Sequence, residues 1–167
     1  MKVKPLIKNY LTELAANILG NDVELCEKCL KHYEDFLKDP YTLICRVKST
    51  SKRSNEQQFV FILSREEVNR GIWRAQIKTL YPIIEEYREN FVSRYDSAIR
   101  SELPIRSTYG EVINEPWDVE IGTLVYMAAR RKLMLDSTEY ERLSRYREAR
   151  NKLSHLNILS IEEIMAL

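Results

Sequence analysis

The 167 residues suffice for one domain with a real core. At 44% hydrophobic and 31% charged, with four Gly and five Pro, they describe a soluble, helix-rich globular chain rather than a disordered or disulfide-scaffolded one. A net charge of +1 gives no global field for a polyanion, so any contact with RNA or DNA has to come from local patches. No apolar run is long enough to span a bilayer and no signal core follows Met1-Lys2-Val3-Lys4-Pro5; three cysteines, an odd number, point to free thiols in a reducing cytoplasm.

From Pro5 to Leu19, Leu6, Ile7, Tyr10, Leu11, Leu14 and Ile18 recur at helical spacing, and Gly20 supplies a stop. Asn21-Asp22 caps a second predicted helix that runs to about Lys38, where Asp39-Pro40 ends it. Tyr41–Val47 and Gln58–Leu63 are β-branched and aromatic and flank the polar segment Lys48–Asn55, which reads as a hairpin. Ser64-Arg65-Glu66-Glu67 is a capping box that opens a long helical region to about Leu103. Its stripe is Trp73, Ile77, Leu80, Ile83, Ile84, Tyr87, Phe91 and Tyr95, and Pro82 is expected to kink or divide it.

Pro104 to Pro116 reads as loop, Trp117 to Leu135 as helix, Ser137 to about Leu156 as a further helix, and Ser160-Ile161-Glu162-Glu163 caps a last short one. The expected fold is mainly α: an antiparallel helical bundle over residues 64–167, preceded by a small helix-helix-hairpin unit over 1–63. Trp117, Tyr126, Tyr140 and Tyr146 could stack nucleobases, but at helical spacing the core reading is favoured.

Cys26-Glu27-Lys28-Cys29, with His32 and Cys45, counts four possible zinc ligands. No second C-x-x-C exists, and thiols spaced this way on an amphipathic helix read as packing residues, so no metal is expected. Lys52 and Arg53 in the basic segment 48–55 resemble a winged-helix wing that contacts phosphates; an ordinary solvated turn is the plainer reading. The chain has no Gly-rich phosphate loop and no HExxH, so NTP hydrolysis by this chain alone is not expected.

Arg150-Asn151-Lys152-Leu153-Ser154-His155 concentrates the chemistry. Asn151 and His155 are i,i+4 neighbours on a helix, which lets an amide orient an imidazole. A cation for phosphate beside a proton-transfer group is what phosphodiester cleavage requires. Leu143, Tyr146, Arg150 and Leu153 follow a core-facing stripe, so Arg150 stands where an apolar residue is expected and needs an anion. The intramolecular candidates are Glu111, Glu115, Asp118 and Glu120; the other candidate is a phosphate. Arg145 and Arg147, Lys152 and the pair Arg130-Arg131 add basic surface, partly cancelled by Glu139, Glu141 and Glu148.

With Arg150, Asn151 and His155 in place, and Leu159-Ser160 downstream, the chain resembles the HEPN superfamily, whose helical bundles carry Arg-Asn-x-x-x-His near the C-terminus. The resemblance covers residues 117–167, reaches back toward 64, and does not include 1–63. Within the superfamily the form is similar to helical C-terminal regions attached to bacterial NTPases. It implies cofactor-free, metal-independent endoribonuclease activity in which the 2′-hydroxyl attacks the adjacent phosphorus. His155 would be the general base or acid, Arg150 would stabilise phosphoryl charge, and Asn151 would set the imidazole tautomer or donate to phosphate. One motif per chain implies a homodimer with a composite site, in a cytoplasmic toxin-antitoxin, phage-defence or RNA-processing setting, with an antitoxin or NTPase as further partner. Two alternatives stay open: a non-catalytic helical dimerisation or regulatory module, and a winged-helix-like nucleic-acid-binding protein.

Overall fold

The computed structural model describes residues 5–47, 50–52, 58–60, 63–106 and 110–167, with 50–52 and 58–60 described by backbone alone. It is mainly α, a helical bundle with a small β-hairpin, and no described helix is long and apolar enough to cross a membrane.

Pro5 opens α1 (Pro5–Leu19), where a missing N–H has no intrahelical role, and Ile7, Tyr10, Leu14, Ile18 and Leu19 form its buried face. Gly20 terminates it in the left-handed region at φ +58°. The Asp22 side chain then accepts the Leu25 N–H at 3.0 Å and starts α2 (Val23–Lys31). The single helix expected to reach Lys38 is instead two. His32, at φ −116° and ψ 43°, leaves helical geometry, and α3 (Tyr33–Lys38) sets off anew with Phe36 fully buried.

Residues 41–47, read as a strand from their β-branched content, are helical: α4 (Pro40–Val47). Two forces override the local β preference. Asp39 caps the helix by accepting from the Thr42 N–H at 3.1 Å and its hydroxyl at 2.7 Å, and Leu43 and Ile44 bury one face against α2 and α3. The hairpin is correspondingly shorter and later. Strands β1 (Thr50–Lys52) and β2 (Gln58–Val60) pair antiparallel in the register Thr50↔Val60, Ser51↔Phe59 and Lys52↔Gln58.

The predicted capping box forms at Ser64. Its hydroxyl accepts the Glu67 N–H at 3.2 Å, and the Glu67 carboxylate accepts the Ser64 N–H at 2.8 Å. Helix α5 (Arg65–Arg94) runs unbroken through Pro82, because Leu80 and Ile84 are fully buried on either side of it. Pro82 and Lys78 both lie on the exposed side, so water can satisfy the carbonyl that lost its donor. The helix stops short of the expected end near Leu103, and α6 (Asp96–Arg100) follows. The stretch expected as loop holds a second small hairpin, β3 (Ile105–Arg106) with β4 (Val112–Ile113), and a 3-10 turn at Pro116–Asp118. Then come α7 (Ile121–Ala129), shorter than predicted, α8 (Ser137–Ser154) and α9 (Ile161–Met165).

The chain forms two compact units, Met1–Leu80 with Leu156–Ile164 and Tyr81–His155 with Met165–Leu167. In the first, Gly71 lets α5 meet α1 at backbone distance: a Cβ there would stand 2.7 Å from Ile18 Cγ1 and 3.0 Å from the Asn17 carbonyl. Close by on α5, Gln76 is 0% exposed. Its amide nitrogen donates to the Leu159 carbonyl at 2.8 Å and the Tyr10 hydroxyl at 3.2 Å, and its oxygen accepts the Leu159 N–H at 2.8 Å. In the second unit, α8 packs on α7 and buries Leu143, Tyr146, Ala149 and Leu153. The Tyr146 ring stacks on Tyr87 at 3.8 Å between centroids, and its hydroxyl donates to the Leu167 carbonyl at 2.8 Å.

Gln76→Leu strands the N–H and C=O of Leu159 in the core, so urea unfolding should show a loss of about 2 kcal/mol or more; a change within experimental error would show that the amide carries no such role. Burial pushes the phenols of Tyr10 and Tyr87 from 10.0 up to about 12. The folded chain therefore holds protons that the unfolded chain releases. This stability is fully present below about pH 10 and is lost as pH rises toward 12. Thermal midpoints should fall across that range, and less steeply in Tyr10→Phe.

Candidate functional site

Helix α8 begins where the Asp136 side chain accepts the Glu139 N–H at 2.8 Å. Its buried face is Leu143, Tyr146, Ala149 and Leu153, so Ala149 takes the core position that the spacing assigned to Arg150. Arg150 flanks that face with its side chain one-third exposed. It meets its anion within the chain: Nη2 donates to the Glu120 carboxylate at 2.9 Å, one of the four acidic candidates, while Nη1 makes a longer bond to Asn151 Oδ1 at 3.4 Å. Glu115 pairs instead with Arg100 at 3.3 Å.

The helix ends at Ser154, whose hydroxyl donates to the Arg150 carbonyl at 2.9 Å and lies 2.8 Å from the Tyr81 hydroxyl. His155 caps this end. Its backbone N–H donates to the Asn151 and Lys152 carbonyls, both at 3.1 Å, and Leu156 then turns into the left-handed region at φ +61°. At φ −99° and ψ 23° His155 has left the helix, and no side-chain bond joins it to Asn151, whose oxygen is turned to Arg150. The imidazole is exposed, with no side-chain hydrogen bond among the described residues.

The other predicted contacts are scattered. Arg145 is exposed, and at 3.6 residues per turn it lies within about 20° of Lys152 but about 140° from Arg150. Arg147 is partly buried, and its Nε has no partner among the described residues. The Arg130 guanidinium sits 5.3 Å from the Tyr126 ring centroid. The side chains of Lys52 and Arg53 lie outside the described residues.

A cavity of about 240 Å³ adjoins Arg150, lined also by Glu85, Arg88, Trp117, Asp118 and Glu120. Arg88 is its scaffold: Nε pairs with Glu85 at 2.7 Å, while Nη1 donates to the carbonyls of Trp117 at 2.9 Å and Val119 at 3.5 Å. Helical spacing favours a core role for the aromatic set, and the structure divides it. Tyr146 is core, but Trp117 is 48% exposed, and Tyr126 and Tyr140 are also exposed. The signal for Trp117 was its flanks: Pro116 and Val119 are buried and three apart, one turn of a 3-10 segment, which leaves Trp117 and Asp118 facing out.

Cys29 is buried, and burial pushes its thiol up to about 11, away from the thiolate that metal or redox chemistry needs; Cys45 is exposed. Among the described residues no group of His, Cys, Asp and Glu is arranged to hold a metal ion. No family model, curated protein or solved structure matches the chain.

Because Glu120 is two-thirds exposed, its pairing with Arg150 contributes at most about 1 kcal/mol. Glu120→Gln should therefore shift the thermal midpoint by less than about 3 °C, and a much larger drop in differential scanning calorimetry would make the pair a structural brace.

Proposed function

We propose that the chain is a HEPN-type, metal-independent endoribonuclease that works as a homodimer in the cytoplasm. The observation that supports this reading most is an exposed His155 imidazole, with no side-chain hydrogen bond among the described residues, at the cap of the helix that carries Arg150 five residues earlier. A single solvent-facing carboxylate holds that guanidinium. In the proposed reaction an imidazole of His155 removes the 2′-hydroxyl proton and the oxygen attacks the adjacent phosphorus. The P–O5′ bond breaks, leaving a cyclic phosphate, and the departing oxygen takes a proton from the imidazolium of a second copy. Arg150 exchanges Glu120 for the phosphoryl oxygens, where charge accumulates. Asn151, bonded to Arg150 at 3.4 Å, accompanies the guanidinium in that exchange.

One observation favours the second reading, a non-catalytic dimerisation or regulatory module of an NTPase-linked or defence protein. The Arg150–Glu120 pair already satisfies the guanidinium, as a retained structural arginine would be. The winged-helix reading draws on the order α2–α3–α4–β1–β2, but the one exposed cation of α4, Arg46, is tied to Asp35 at 2.6 Å.

Labelled RNA incubated with the purified protein in EDTA decides between the first two. His155→Ala and Arg150→Ala should each lose at least about 100-fold in rate, with circular dichroism unchanged. Absence of cleavage in the parent, or its persistence in both variants, would sink the catalytic reading.

A further inference from the structure

Trp117 stands half exposed on a turn whose flanks are buried. Its neighbours Pro116 and Val119 anchor the turn, and Arg88 holds the turn's backbone through two carbonyls, so the segment that carries the indole is held at the cavity it lines. The cavity's charges decide what can enter. Two guanidiniums face three carboxylates, and Arg88 is spent on Glu85 and the backbone. With Glu120 on Arg150, the exposed carboxylate of Asp118 is left in excess. Beside the one cation that can change partner, Arg150, such a surface suits an aromatic ring whose edge donates hydrogen bonds.

We infer that Trp117 and Asp118 form a nucleobase subsite beside Arg150 that takes a guanine of single-stranded RNA. Every base can stack on an indole, but Asp118 discriminates. A carboxylate only accepts, and guanine alone offers two adjacent donors, N1–H and N2–H, which it can receive as a parallel pair. Uracil presents one donor between two carbonyl oxygens that the carboxylate repels, and cytosine and adenine present one exocyclic amine each. The inference rests on the ribonuclease reading, in which Arg150 meets the phosphate next to that base.

Binding to an uncleavable probe separates the two ideas. The probe is a short, fluorescently labelled 2′-O-methyl oligouridine carrying one guanosine, compared by anisotropy with its all-uridine counterpart. The guanosine probe should bind the parent more tightly. Trp117→Ala should weaken it about tenfold, consistent with the loss of one stacked base, while Trp117→Phe should retain binding. Asp118→Asn should abolish the preference for guanosine while leaving the uridine probe unaffected. If the parent binds neither probe, shows no preference, or is indifferent to Trp117→Ala, the subsite is overturned, even where RNA is cleaved. If this pattern holds and no RNA is cut in EDTA, the subsite stands and the nuclease reading fails.

Discussion

The buried amide of Gln76 is the constraint on which the first unit depends. An amide removed from water must have both its donor and its acceptor satisfied, and Gln76 does so with the two backbone groups of a residue 83 positions away. This pins the segment after α8 to the first half of α5, and the Tyr10 hydroxyl draws α1 into the same network. Hydrophobic burial alone would let Leu159 slide along the groove. Paired hydrogen bonds in a low-dielectric core set its register.

In the second unit, two arginines that line one cavity, Arg88 and Arg150, differ in role because they differ in partner. Arg88 is bound to backbone carbonyls that cannot leave, so it is structural. Arg150 is bound chiefly to an exposed carboxylate, which water or an anion can replace at little cost. A guanidinium held this way is positioned without being consumed, a condition that a binding or catalytic role requires. The exposed carboxylate of Asp118 lines the same cavity and adds negative charge beside Arg150.

Much of the helical layout was legible because it is written in interactions within four residues. The Asp22 cap, the Ser64–Glu67 box and the Gly20 stop each join near neighbours, and each forms as expected. The strand expected at 41–47 fails for the opposite reason. Its β-branched residues express a weak preference, overruled by the Asp39 cap and by burial against helices the local sequence does not mention. Pro82 is similar: a breaker by its own chemistry, it sits harmlessly on an exposed helix face between buried turns.

The same division holds at the candidate site. The sequence by itself determined that Arg150, Asn151 and His155 share the end of one helix, since that follows from helical spacing and a terminating turn. It narrowed the partner of Arg150 within the chain to four carboxylates, beside a phosphate from outside, and could go no further, because Glu120 is 30 residues away and only packing brings it within 2.9 Å. Periodicity placed Trp117 with the core aromatics, whereas the buried flanks of its turn put the indole at the surface. Local sequence sets which residues travel together. Tertiary structure decides which of them remain exposed and charged, because exposure and pairing depend on chain segments that no window of sequence contains.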